Sequence, residues 1–312
     1  MGQGRGFGKV ILFNEHFVVY GIPSIVSAIS DYTNAEVTLL KRDNDKDFII
    51  IDDRPETPGY KLKKQDQQNK SIELMMNLVK IKLGAHTLQV RFSGKLLAAS
   101  GVGASAASCA AFARALNNEF DLGMDNTTIN NLAYEGEKAY HGTPSGVDNT
   151  AATYGGLIQF TKGEIPKFEH IKIPKAVEIV MGNTGLVTNT KVAVDGVKER
   201  REKNPEKYDL IFEHAKALIP KARSAFESGD YKTIGKLMLE NHKLLQEVEV
   251  TCKELDHLVN VAQDNGAWGA KMTGSGFGGY MIALTPGTEL QATIAEAIER
   301  EGFKVLKTTI GV

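Results

Sequence analysis

The apolar positions of this chain change period several times, and each change predicts an element. Lys9–Phe13 (KVILF) is a short apolar run of the kind that forms a buried strand. Asn34–Leu40 and Phe48–Ile51 read as strands separated by the polar turn Arg42–Asp47. His86–Phe92 alternates, with Leu88, Val90 and Phe92 on one face, as a half-buried strand does. Ser105–Asn117 and Thr127–Tyr140 read as helices, and Gly155–Phe160 as a strand. The second half is helical at first: Lys191–Lys203, Tyr208–Glu227, Tyr231–Val248 and Lys253–Asp264 are amphipathic. Pro205, Ser228-Gly229-Asp230 and Gly266 punctuate them. Strands at Gly279–Leu284 and Phe303–Thr309 then flank a helix from Glu289 to Arg300.

Two stretches break this pattern. Asp53–Lys70 is polar and carries Pro55, Pro58 and Gly59, which predicts an exposed loop. Pro166–Pro174 brackets a short mixed segment with two prolines and marks the expected domain junction, dividing the chain into residues 1–173 and 174–312. Strands and helices are mixed without regular βαβα alternation. The expected class is α+β in two domains, not a doubly wound parallel sheet.

Composition narrows the partners. The 312 residues are 42% hydrophobic and 24% charged, as in an ordinary soluble globular protein. Lys and Arg total 37 against 38 Asp and Glu, a net charge of −1 that gives no electrostatic footprint for nucleic acid or an anionic membrane. Cys109 and Cys252 are isolated and lack metal-ligand spacing, which suits a reducing compartment. No stretch approaches the length of a membrane-spanning apolar run, and no secretory leader opens the chain. A cytoplasmic location is expected. Oligomeric state stays open, a homodimer being one outcome.

The chemistry concentrates in four segments. Glu135–Asn149 (EGEKAYHGTPSGVDN) holds Glu137 on a helix and Asp148 beyond the break at His141-Gly142-Thr143-Pro144. Such a turn can bring one acid to a metal and the other to a substrate hydroxyl. Ser145 and Asp148 also fit an S-x-x-D capping box, in which the acid only caps a helix. Ser100–Ala107 (SGVGASAA) runs into an Ala-rich helix; its glycines and the helix start are suited to an anion, with Ser105 placed to reach a phosphate-bound Mg²⁺. The other reading is a tight turn whose glycines serve close packing of a buried helix. The segment lacks the terminal G-K-[ST] of a Walker A loop. Ala270–Gly279 (AKMTGSGFGG) is a second glycine-rich backbone. Gly6–Gly21 (GFGKVILFNEHFVVYG) opens a buried strand with Lys9, where a free amine needs an anionic partner unless it snorkels, and puts Glu15 and His16 just after it. Together these are the parts of phosphoryl transfer.

These segments resemble the GHMP kinase superfamily over about Gly6–Gly279, and within it the mevalonate kinases. HGTPSGVDN at His141–Asn149 is similar to their H-G-x-P-S-G-x-D-N segment. The opening from Gly8 resembles G-K-x-I-L-x-G-E-H-x-V-V-x-G, and Asn183–Val197 (NTGLVTNTKVAVDGV) resembles the entry to their C-terminal domain. The resemblance implies a ribosomal-S5-like N-terminal domain for ATP binding and catalysis and a ferredoxin-like C-terminal domain, with ATP and mevalonate as substrates and Mg²⁺ as cofactor. It implies Asp148 as general base, with Lys9 beside it and the transferred phosphate, and Ser105 and Glu137 as metal ligands. It implies ATP contacts from Lys9, Ala99, Ser100, Gly101, Val102, Gly103, Ala104, Ser105, Ser108 and Gly274, and substrate contacts from Glu15, His16, Tyr20, Ser145, Asp148 and Thr188. The alternatives are a related substrate, phosphomevalonate or a sugar, and a catalytically silent regulatory protein of the same fold. The chain departs from the family pattern at Leu97, Ala99 and Ala104 in the phosphate loop and at Asn14, which replaces the glycine before Glu-His and is expected to put a side chain near the substrate edge.

Overall fold

The protein is described here by a computed structural model covering residues 1–42, 46–99, 101–186 and 190–312. It is mixed α+β and forms two compact units, Met1–Lys9 with Ser30–Gly155, and Val10–Ile29 with Gly156–Val312. Two long strands, β1 (Gly2–Phe13) and β2 (Ser24–Lys41), pair with each other and contribute residues to both units.

In the first unit, β4 (His86–Ser93) lies antiparallel to β2, with Val37 opposite Val90, and β3 (Phe48–Asp52) runs parallel to β4. The inward residues Ala35, Val37, Leu88, Val90 and Phe92 form one core with three helices, α1 (Tyr60–Leu78), α2 (Ala104–Phe120) and α3 (Asn126–His141). A short α4 (Val147–Tyr154) completes the unit. The exposed loop expected over Asp53–Lys70 is corrected here, since α1 begins at Tyr60, after Gly59 in the left-handed conformation. Its first half, KLKKQDQQNK, is polar on all sides and hides the helical period. The buried Ser71, Ile72, Met75 and Met76 carry that period in the second half.

The N-terminal glycines are not a flexible tail. Gly2, Gly4 and Gly6 lie against the carbonyl oxygens of Ala115, Ala111 and Ala107, and a Cβ on any of them would overlap that backbone. Two strand residues advance about 6.6 Å and four helix residues about 6 Å, so the two rows stay in step. The Ala-rich face of α2 therefore meets β1 backbone to backbone.

In the second unit, β7 (Val177–Asn183) lies between β9 (Tyr280–Leu284) and β10 (Lys304–Ile310), antiparallel to both, and β8 (Gly269–Thr273) borders β9. The first four residues of the expected second glycine loop, Ala270–Thr273, are thus strand, and the turn itself is Gly274–Gly279. β5 (Leu157–Thr161) pairs with the start of β2 and with β6 (Lys167–Ile171), so the proline-bracketed segment is a hairpin strand of this unit. Helices α5 (Thr190–Lys203), α6 (Pro205–Ser228), α7 (Tyr231–Glu247), α8 (Lys253–Asp264) and α9 (Thr288–Arg300) follow the amphipathic pattern closely. Their core includes edge-to-face ring pairs, Phe13 with Phe226 and Phe17 with Phe212.

The β1–α2 contact makes a direct prediction. Gly4→Ala is expected to lower unfolding stability by about 1–3 kcal/mol or more through overpacking. Gly163→Ala, whose methyl would meet only the Ile165 oxygen at 3.4 Å, should stay within about 0.5 kcal/mol in the same urea titration.

Candidate active site

The first unit brings four of the expected residues together. The Lys9 amide donates to the Val102 carbonyl at 2.9 Å, which ties β1 to the glycine loop before α2. Gly103, the N-cap of α2, has φ 70°, and a Cβ there would stand 2.7 Å from Lys9 Cγ. Glycine is needed both for the left-handed turn and for the lysine stem. Lys9 Nζ then lies 3.1 Å from Asp148 Oδ1, with the lysine side chain 6% exposed and the aspartate 30%. Lys9 is therefore a buried charge with an anionic partner and not a snorkelling edge residue.

Asp148 stands in the first turn of α4, whose N-cap is Gly146 at φ 88° with no side-chain cap. The hydroxyl of Ser145 accepts from the Val147 amide at 3.4 Å. The S-x-x-D spacing is thus not used as a capping box, and Asp148 keeps its carboxylate for Lys9.

Glu137, in the last turns of α3, is fully buried, and its Oε1 has no hydrogen-bond partner among the described residues. Burial, and after it the charge of Asp148, pushes its carboxyl up to about 8, against the opposing pull of the Ser105 hydroxyl and Lys9. His141 Nε2 is 3.4 Å from Ser105 Oγ and 3.9 Å from Glu137 Oε2. The hydroxyl of Ser105 and the carboxylate of Glu137 are hard oxygen donors that fit Mg²⁺, which takes one or two protein ligands and completes its shell with phosphate and water. The buried, unpaired Oε1 is the observation that favours a cation there. No cluster of three or more His, Cys, Asp or Glu suited to a metal occurs among the described residues, and such a site does not require one.

The phosphate-type loop ends in a helix start with no side-chain cap, so the first amides of α2 remain available to an anion. Ala99, Val102 and Ala104 are buried along it and Gly101 has φ 96°. Ser108 is engaged: its hydroxyl donates to the Ala104 carbonyl at 2.8 Å and accepts from Arg54 Nη1 at 2.6 Å. Arg54 is buried and also binds Asp52 bidentately, at 2.9 and 2.6 Å. It was missed with the rest of its segment. A cavity beside Ser105 is lined by Arg54, Tyr60, Lys61 and Lys64. The approach of Lys64 to this site had no signal short of recognising α1.

The second unit holds a separate group. Glu15 is ion-paired with Lys271, both side chains essentially inaccessible, and Lys271 also donates to the Met272 carbonyl at 2.7 Å. Lys271 escaped the reading of its segment as a glycine loop. His16 is buried, its Nε2 lies 2.9 Å from the Ser275 carbonyl, and burial lowers its pKa to about 4. A carbonyl only accepts, so Nε2 carries the proton of the neutral ring and Nδ1 carries the lone pair. The Tyr20 hydroxyl is buried, its ring packed edge-on to Phe212 with the Arg201 guanidinium 5.3 Å from its centre. Gly274 has φ 86° at the head of the glycine turn. Asn14 does not face a substrate edge, as was expected. It is wholly buried and hydrogen-bonded to core partners. Ser100 and Thr188 lie outside the described residues.

A lysine-paired aspartate, a serine–glutamate pair and an uncapped helix start on a glycine loop describe a phosphotransferase of the GHMP class, and the comparisons agree. The family model for the GHMP kinases N terminal domain matches residues 70–156, and that for GHMP kinases C terminal matches 222–304. The chain is 33% identical to the mevalonate kinase of Pyrococcus abyssi over 97% of this chain and 93% of that protein. It is 32% identical to that of Thermococcus sibiricus, over 97% and 94%. The crystal structure of L. major mevalonate kinase in complex with R-mevalonate superposes with a TM-score of 0.94 at 35% identity, covering 99% of this chain and 96% of that one. The chain belongs to the mevalonate kinase family of GHMP kinases.

The buried carboxyl of Glu137 gives a pH signature. Between about 4.5 and 8 the folded protein holds a proton that the unfolded chain has released, so stability falls as pH rises through that window. In metal-free protein, Glu137→Gln is expected to melt higher than wild type at pH 8 and alike at pH 4.5. Added Mg²⁺ should raise the wild-type midpoint at pH 8 more than that of the variant. Parallel melting curves for the two proteins across pH would refute the buried, unpaired carboxyl.

Proposed function

We propose that this protein is an ATP-dependent kinase that phosphorylates the C5 hydroxyl of mevalonate, giving 5-phosphomevalonate and ADP in isoprenoid precursor synthesis. The observation that carries the reading is the 3.1 Å contact of Lys9 with Asp148, in the same unit as Ser105 and Glu137. Full-length similarity to mevalonate kinases, one of them solved with R-mevalonate, supports the choice of substrate.

In this reading Asp148 accepts the proton of the C5 hydroxyl as that oxygen attacks the γ-phosphorus of ATP. Lys9 holds Asp148 in place, then stabilises the negative charge on the transferring phosphoryl oxygens. The amides of Gly101–Ser105 and the start of α2 hold the phosphate chain, which backbone donors still do where Ala104 stands in place of the usual serine. Ser105 and Glu137 would hold Mg²⁺, which would supply positive charge to offset that of the phosphates. Glu15 and His16 belong to the mevalonate side. The thiols of Cys109 and Cys252 are unpaired, which accords with a reducing cytosol as the site of the reaction.

ADP release measured with mevalonate, phosphomevalonate, galactose and homoserine tests the reading, and only mevalonate is expected to support turnover. Asp148→Asn should lower kcat by about 10²–10⁴-fold with ATP affinity little changed. Lys9→Met should lower it by about 10²-fold or more. Mevalonate-independent ADP release, or an Asp148→Asn variant with more than about a tenth of wild-type kcat, would overturn it.

A further inference from the structure

Asn14 occupies a position with φ 69°, where glycine is the undemanding choice and asparagine the best tolerated of the larger residues. Its side chain is wholly buried and its amide is fully employed. Nδ2 donates to the Pro23 carbonyl at 2.9 Å and to the Ala215 carbonyl at 3.0 Å. Oδ1 accepts from Asn241 Nδ2 at 3.2 Å, and the Asn14 main-chain amide donates back to Asn241 Oδ1 at 3.3 Å. The Asn14 carbonyl accepts from the Val18 amide at 3.1 Å, closing the turn that carries Glu15 and His16. One residue thus ties the end of β1 to the start of β2, to α6 and to α7.

This clamp bears on the two residues that follow it. Glu15 is held by Lys271 and the His16 ring by the Ser275 carbonyl, so both side chains are fixed at their far ends. Asn14 fixes them at the near end. His16 Nδ1 is buried and has no hydrogen-bond partner among the described residues. A lone pair in that state is useful to a ligand only if the ring cannot turn away.

We infer that Asn14, through its reciprocal pair with Asn241, is a positioning residue that sets the direction of the Glu15–His16 step and thereby the affinity for mevalonate. It touches no substrate; it replaces the freedom a glycine would leave at this turn with three side-chain hydrogen bonds. The inference rests on the proposed function for the identity of the substrate.

Two variants test it. Asn14→Gly keeps the left-handed backbone and deletes the amide, and Asn241→Ala removes the two bonds with Asn14 while leaving those to Pro23 and Ala215. Each is expected to raise KM for mevalonate roughly tenfold or more, because a small misplacement of a binding group is felt strongly. KM for ATP and kcat at saturating mevalonate should change by less than about twofold, the mark of lost uniform binding. Should Asn14→Gly fail to fold, Asn241→Ala carries the same reading alone. A lowered thermal midpoint with both KM values unchanged would overturn the proposal and leave the pair as structural glue. A wild type that turns over another alcohol of the panel would overturn the function reading only, and the same split is then read on that alcohol.

Discussion

The contact between the glycine row of β1 and the alanine face of α2 is the constraint on which the phosphotransfer chemistry depends. Without side chains between them, Gly2, Gly4 and Gly6 let the strand run along the helix backbone. The strand then delivers Lys9 to the N-terminus of α2, where its amide meets Val102 and its stem crosses Gly103. A lysine carried on a surface strand would be solvated and mobile. Here the stem is packed, and the ammonium is left to find Asp148. The same helix offers its first amides to an anion, so one packing choice sets both a positive side chain and a phosphate cradle.

Charge in this unit is deliberately incomplete. Lys9 neutralises Asp148, but Glu137 is buried next to that carboxylate with an oxygen that nothing in the described chain satisfies. Burying a carboxylate without a partner is expensive, and burial, with the charge of Asp148 after it, pushes this carboxyl up to about 8. Bound phosphate and Mg²⁺ would rebalance the group, which couples occupancy of the site to its electrostatics. Arg54 makes the opposite arrangement. Its bidentate pair with Asp52 and its bonds to Ser108 and Ala104 are complete without a ligand, and they hold the first turn of α2 rigid.

The second unit solves a related problem with different groups. Lys271 and Glu15 are both inaccessible and ion-paired, so removing one would strand the other's charge without a partner. Pairing of this kind is weak evidence of added stability but strong evidence of a fixed geometry. Together with the amide bonds of Asn14 it makes the residues after β1 a rigid step, although they lie outside regular strand.

Much of this was legible in the chain before any contact was known. The amphipathic helices from α5 to α9 and the alternation of β4 depend on periods of 3.6 and 2, which are local properties of the sequence. The segments holding Lys9, Ser105, Glu137 and Asp148 were likewise recognisable, because phosphate loops and acid-bearing turns restrict residue types over short spans. Helix α1 was not, since its first half is polar on every face and only its distant packing makes it a helix. The use of Asp148 could not be read locally either: its spacing from Ser145 satisfies a capping box equally well, and Lys9, 139 positions away, decides against it. Asn14 looked like an intrusion on a substrate edge, yet Pro23, Ala215 and Asn241 turn its amide into the core. Period and motif are written between neighbours, whereas the partner of a buried ion or amide is chosen by chain segments that meet only when the fold is complete.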